Sequence, residues 1–147
     1  MMKKILLILL CLPLIGFGQN VNIPDANFKA SLVGNTAINT NGDADIQVSE
    51  ATAFNGAIYC DNMNISDLTG IEYFITLTDL FCNNNQLASL DITQNISLEN
   101  LFCEYNNLTY IDLSSQTSFI NLWLFSNLLG SLDLSHFACG SIAEPWI

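Results

Sequence analysis

Cys60, Cys82 and Cys103 stand 22 and 21 residues apart. Thiols at so regular a spacing can be metal ligands, disulfide partners or small core residues. A zinc site needs convergent ligands at short, closed spacings, and none surrounds these cysteines. An aromatic residue directly precedes each of them: Tyr59, Phe81 and Phe102, with Trp123 continuing the series before Leu124. Such a stripe can anchor a protein partner or stack on sugar rings. It can also pack ring on ring as a ladder. Two neighbouring columns run beside it: Asp61, Asn83, Glu104, Phe125, and Asn62, Asn84, Tyr105, Ser126. On the other side lie Ala57, Asp79, Asn100 and Asn121. A further acidic column, Asp91, Asp112 and Asp133, is spaced to cap turn N–H groups. Nothing assembles a nucleophile, a base and an oxyanion donor, and His136 is the sole histidine. The chain is therefore expected not to be an enzyme.

Residues 39–50 offer a second chemistry. Counted as twelve positions, they place Asn39 at 1, Asn41 at 3, Asp43 at 5, Asp45 at 7 and Glu50 at 12. That spacing resembles the EF-hand calcium loop. Position 1 lacks a carboxylate, and position 6 is Ala44 where the loop wants glycine. Two readings stay open: a weak calcium site, or Asn and Asp side chains that hold the turn.

The elements that position these residues follow from a repeat. Three stretches align at a period of 21: LTDLFCNNNQLASLDI from Leu77, LENLFCEYNNLTYIDL from Leu98 and FINLWLFSNLLGSLDL from Phe119. A more degenerate copy contains Ile58, Cys60, Ile65 and Leu68, with Met63 in the Asn column. The pattern L-x-x-L-x-C-x-x-N-x-L resembles the leucine-rich repeat with Cys in the third apolar column. A short strand in each copy sends its Leu and Cys inward and the residues between them outward. Asn85, Asn106 and Asn127 are expected to turn inward and satisfy buried backbone groups. The cysteines then read as core. Upstream, Phe28 and Leu32 lie four apart between Pro24 and Gly34, as in a short helix, and a second helix is expected through Ala51 and Phe54.

The layout is similar to the internalin-type leucine-rich repeat proteins of bacteria, and to secreted repeat proteins of flavobacterial type that share the Asp67-to-Glu72 sequence DLTGIE. The resemblance implies an α/β repeat fold: a short right-handed leucine-rich repeat solenoid of about four 21–22-residue coils, parallel strands on its concave face, and a small helical, EF-hand-like N-terminal cap. The expected division is a signal peptide at 1–18, the cap at 19–54, repeats at 55–134 and a degenerate tail or truncation at 135–147. The basic start at Lys3 and Lys4, the apolar run at 5–15 and the small Gly16 and Gly18 carry the leader.

Composition narrows the partners. The formal charge is −11, with no arginine and with Lys29 the single basic residue after the leader. Phosphate binding needs clustered cations, so nucleic acid is excluded, and anionic membrane surfaces are disfavoured. No stable membrane insertion is expected once the leader is removed. The expectation is a secreted or cell-surface binding module (periplasmic if not exported further). It would recognise a protein or glycan through Tyr59, Phe81, Phe102, Trp123, Tyr105, Phe125, Glu104 and Asp61. The alternatives are a calcium-stabilised adhesion protein, or a fragment of a longer repeat protein.

Overall fold

The structure, a computed structural model, describes residues 18–135, 137 and 144–146. The expected leader falls outside these residues except for Gly18, and so do Cys139 and His136.

Two short helices come first. In α1 (Ala26–Val33) the apolar spacing puts Phe28 and Leu32 on one buried face. Asp25 caps it, its Oδ1 accepting from the Asn27 N–H at 2.9 Å and the Phe28 N–H at 3.0 Å. The other oxygen of Asp25 accepts from the N–H and the hydroxyl of Ser66, which ties this helix to the repeats. Burial works against the Asp25 charge, but these hydrogen bonds outweigh it and hold the pKa below the usual range. Helix α2 (Val48–Ala53) follows the acidic loop.

Each repeat then contributes one strand. β1 (Gly56–Tyr59), β2 (Leu77–Phe81), β3 (Asn100–Phe102), β4 (Asn121–Trp123) and β5 (Glu144–Trp146) form one parallel sheet in chain order. The pairing keeps like columns together: Leu80 beside Leu101 beside Leu122, and Phe81 beside Phe102 beside Trp123. β5 was not expected from a tail lacking the L-x-x-L unit. Its backbone nonetheless pairs in register, Trp146 opposite Trp123. Backbone pairing needs only an extended segment at the right spacing, so the missing leucines do not forbid a strand.

The inward columns are sealed from water. Leu77, Leu80, Cys82, Leu87 and Ile92 have no exposed surface, and Leu98, Leu101, Cys103 and Leu108 repeat that one coil on. Leu129, Leu132 and Leu134 are only half-buried against this core. No single coil can bury its own face, so the core exists only by stacking.

The asparagine column supplies the polar half of the interior. Asn106 donates to the carbonyls of Cys82 and Cys103, both at 3.0 Å, and accepts from the Leu87 N–H at 3.0 Å. Asn127 bridges the next pair of coils in the same way, through Cys103, Leu124 and Leu108. Asn85 covers the copy where Met63 breaks the pattern, accepting from the N–H groups of both Met63 and Ile65. A second buried ladder runs at the far edge. Asn95 donates to the Ile71 and Phe74 carbonyls, and Gln116 to the Ile92 carbonyl. Sequence reasoning missed this column because its members differ: Phe74, Asn95, Gln116 and Phe137 stand 21 apart.

Candidate functional site

The outward residues of the strands form three adjoining columns. In the central one the Tyr59 and Phe81 rings stack at 4.7 Å and 12°, and Phe81 and Phe102 at 4.6 Å and 4°. Those separations match the spacing of neighbouring strands, so the rings stand off the sheet like parallel plates. Trp123 breaks the series, meeting Phe102 edge-on at 5.0 Å and 68°. Stacking has a consequence for the expected exposed stripe. Tyr59, at the open end, keeps most of its surface, while Phe81, Phe102 and Trp123 are half-buried between neighbours. On one flank an amide chain runs from Asp79 through Asn100 to Asn121, each asparagine donating to the side chain before it.

The other flank corrects the sequence reading. Glu104 was expected to be a surface acid, but it is only 7% exposed. Its Oε2 is buried and has no hydrogen-bond partner among the described residues. Burial raises its pKa above the usual carboxylate range; its own backbone N–H works the other way, and Asp61 adds a smaller upward push. The Trp123 Nε1–H is likewise buried without an acceptor among the described residues. Asp61 is half-exposed and accepts from the Asn62 side chain at 2.7 Å. Phe125 lies near Trp123 at 6.1 Å and near Tyr105 at 5.3 Å.

Asn62, Asn84, Tyr105 and Ser126 all have left-handed backbone, φ between 54° and 57°. This column is where each strand turns. Asn suits such a conformation, whereas a bulky Tyr there is strained by on the order of 1 kcal/mol. Tyr105 is 52% exposed, and its ring meets Phe125 edge-on.

The cysteine column is inert. Cys60, Cys82 and Cys103 are all free thiols with no exposed surface. The Cys82 thiol, hydrogen-bonded to Cys103 and cut off from water, is pushed well above its ordinary range. Burial does the same to Cys60. Thiolates react and thiols do not, so these residues pack rather than catalyse. The acidic column on the far edge caps turns. Asp91, Asp112 and Asp133 each accept from the N–H two residues on, those of Thr93, Ser114 and Ser135.

The expected calcium ligands are occupied by protein donors. Asn39 is buried; it donates to the Val33 and Asp43 carbonyls and accepts from the Gly42 N–H. Both oxygens of Glu50 are used: Oε1 takes the Thr40 N–H, the Thr40 hydroxyl and the Asn41 N–H, and Oε2 takes the Gln47 N–H. Burial disfavours the Glu50 charge, but these four bonds prevail and lower its pKa. Asp43 accepts from the side chains of Asn41 and Gln47, and Asp45 pairs with Lys29. The left-handed residue of this loop is Gly42, at position 4, not position 6. Among the described residues no three of Asp, Glu, Cys or His gather as a cation site.

A parallel sheet with one strand per repeat, inward Leu and Cys columns and an asparagine ladder defines a leucine-rich repeat solenoid. No protein-family model matches the chain. It is 33% identical over 72 residues to internalin J of Listeria monocytogenes serotype 4b, a match spanning 49% of this chain and 8% of that protein. The structure is similar to the functional domain of InlJ from Listeria monocytogenes, which includes a cysteine ladder. There the TM-score is 0.69 at 35% identity, covering 80% of this chain and 26% of that one. An internalin of strain 4b F2365, InlF, shares the fold at TM-score 0.68 and 21% identity, covering 81% of this chain and 36% of that one. The chain thus spans well under half the length of these relatives.

Proposed function

We propose that the chain is a secreted or surface-exposed, non-catalytic leucine-rich repeat module that binds a polypeptide on the concave outer face of its sheet. The aromatic column of Tyr59, Phe81, Phe102 and Trp123, three rings stacked and the fourth edge-on, carries this reading. Rigid aromatic rings give large contact area at little entropic cost, which is why they dominate interface hot spots. The repeats are also one-signed: residues 55–134 hold nine acidic side chains, Asp61, Asp79 and Glu104 beside the rings among them, and no basic one. The likeness to internalins supports a surface location, as does the leader-like start at Lys3 and Lys4.

Immobilised peptide and glycan arrays test the proposal. Binding should appear on peptides, and the double variant Phe102→Ala, Trp123→Ala should weaken it about thirtyfold or more, as loss of two ring anchors demands. Unchanged affinity in that variant, or binding confined to glycans, would overturn it.

The acidic loop is part of the same proposal: its own side chains hold it, and calcium is not required. Adding about 5 mM calcium, above the affinity range of weak extracellular sites, should move the melting temperature by less than about 1 °C. A rise of several degrees would instead favour the calcium-stabilised adhesion reading.

A further inference from the structure

Glu104 is an anomaly in a face otherwise built from stacked rings and paired amides. Desolvating a carboxylate is costly unless hydrogen bonds or a countercharge compensate. Among the described residues none provides either for Oε2. Residues 55–134 contain no lysine, arginine or histidine, so no repeat side chain can neutralise it. The one lysine near the sheet in sequence, Lys29, is engaged by Asp45. Asp61 adds negative charge rather than relieving it. One coil away, the buried Trp123 N–H faces the complementary problem, a donor without an acceptor among the described residues.

Glu104 follows Phe102 by two residues, just past the end of β3, and Trp123 pairs with Phe102 across the strands. Two of the four orphaned side-chain atoms among the described residues, Glu104 Oε2 and Trp123 Nε1, thus come from neighbouring coils beside Phe102, Trp123 and Phe125; the other two, Asn95 Oδ1 and Gln116 Oε1, belong to the far-edge ladder. Aromatic faces attract cations, most strongly where water is excluded. Arginine and lysine also carry the donors a carboxylate needs.

We propose that this patch receives a lysine or arginine side chain of a polypeptide partner, with Glu104 as its counter-charge, the rings of Phe102, Trp123 and Phe125 as its walls, and a backbone carbonyl of the same partner on the Trp123 N–H. This rests on the polypeptide-binding role proposed above and specifies its ligand. A cation alone would satisfy Glu104 only. A peptide offers both the cation and the carbonyl acceptor.

Calorimetric titration with an acetylated Gly-Arg-Gly-Lys-Gly amide tests it, with Gly-Gln-Gly-Gln-Gly as the neutral control. The basic peptide should bind and the neutral one should not. Glu104→Gln, which keeps the shape and removes the charge, should weaken binding at least tenfold. Asp91→Asn, the same charge change on the far edge, should alter it less than twofold. Trp123→Phe keeps a ring and removes the N–H; it should weaken binding about threefold, and it carries the test should Glu104→Gln fail to fold. Equal weakening by Glu104→Gln and Asp91→Asn would reduce the effect to diffuse charge and overturn the proposal, as would no binding by the unmodified chain. If the Phe102→Ala, Trp123→Ala variant loses an array-identified peptide while Glu104→Gln keeps it, the binding face stands and the cationic anchor falls.

Discussion

Replacing Asn106 by alanine should cost about 4 kcal/mol and lower the melting temperature by roughly 10 °C. The side chain is buried and holds three backbone groups from two coils: the Leu87 N–H and the carbonyls of Cys82 and Cys103. Alanine removes the partners without removing the need for them. Each buried group left unsatisfied costs about 1–3 kcal/mol, and in a chain of this size each kcal/mol shifts melting by about 2–4 °C. Leu87 and Cys82 have no exposed surface, so water cannot step in without opening the stack. Asn106→Asp should be no better, since it keeps the acceptor but removes the donor and adds a buried charge. Thermal melting by circular dichroism measures the effect. A loss below about 1 kcal/mol would mean that the apolar columns alone hold the coils together.

Gly70→Ala should destabilise the chain by about 3 kcal/mol, and do so locally. Gly70 has φ of 107°, which L side chains rarely adopt. A Cβ there would lie 2.8 Å from the Ile23 side chain, 3.0 Å from that of Val21 and 3.1 Å from the Asn22 carbonyl oxygen. Backbone strain and overpacking each cost on the order of 1–3 kcal/mol. The segment that must retreat is the extended stretch before α1, held by Val21 N–H to the Ile46 carbonyl and Val48 N–H to the Gln19 carbonyl, both at 2.8 Å. Hydrogen exchange at Val21 and Val48 should therefore accelerate while the strands around Leu101 stay protected. Uniform acceleration across the sheet would show that the helical segment and the repeats unfold as one unit.

These two residues also mark how far the sequence can be read. The asparagine column is legible because its members are identical and the period is fixed. Residue type and spacing together imply an inward amide. The mixed Asn95 and Gln116 ladder shares the period but not the type, so only the structure exposes it. Gly70 sits within the recognised DLTGIE stretch, yet its necessity comes from Val21 and Ile23, nearly fifty residues earlier. Glu104 was read as a surface acid from its column in the repeat, yet it is 7% exposed. Its burial depends on how bulky side chains on adjacent coils crowd it, which period alone does not encode. In the acidic loop, spacing suggested a calcium shell, but spacing does not say which way a carboxylate turns. Glu50 turns toward Thr40, Asn41 and Gln47 and becomes the latch of the loop.

The account as a whole rests on the outer face of the sheet being the surface a polypeptide covers. Hydroxyl-radical footprinting of the chain with a peptide recovered from the arrays reads that surface ring by ring. Tyr59, Phe102, Trp123 and Phe125 should lose reactivity on binding, while Tyr110, 65% exposed among the acidic turns of the far edge, should react as before. Protection of Tyr110 with the outer rings unchanged would place the partner on the other side of the solenoid and contradict the account.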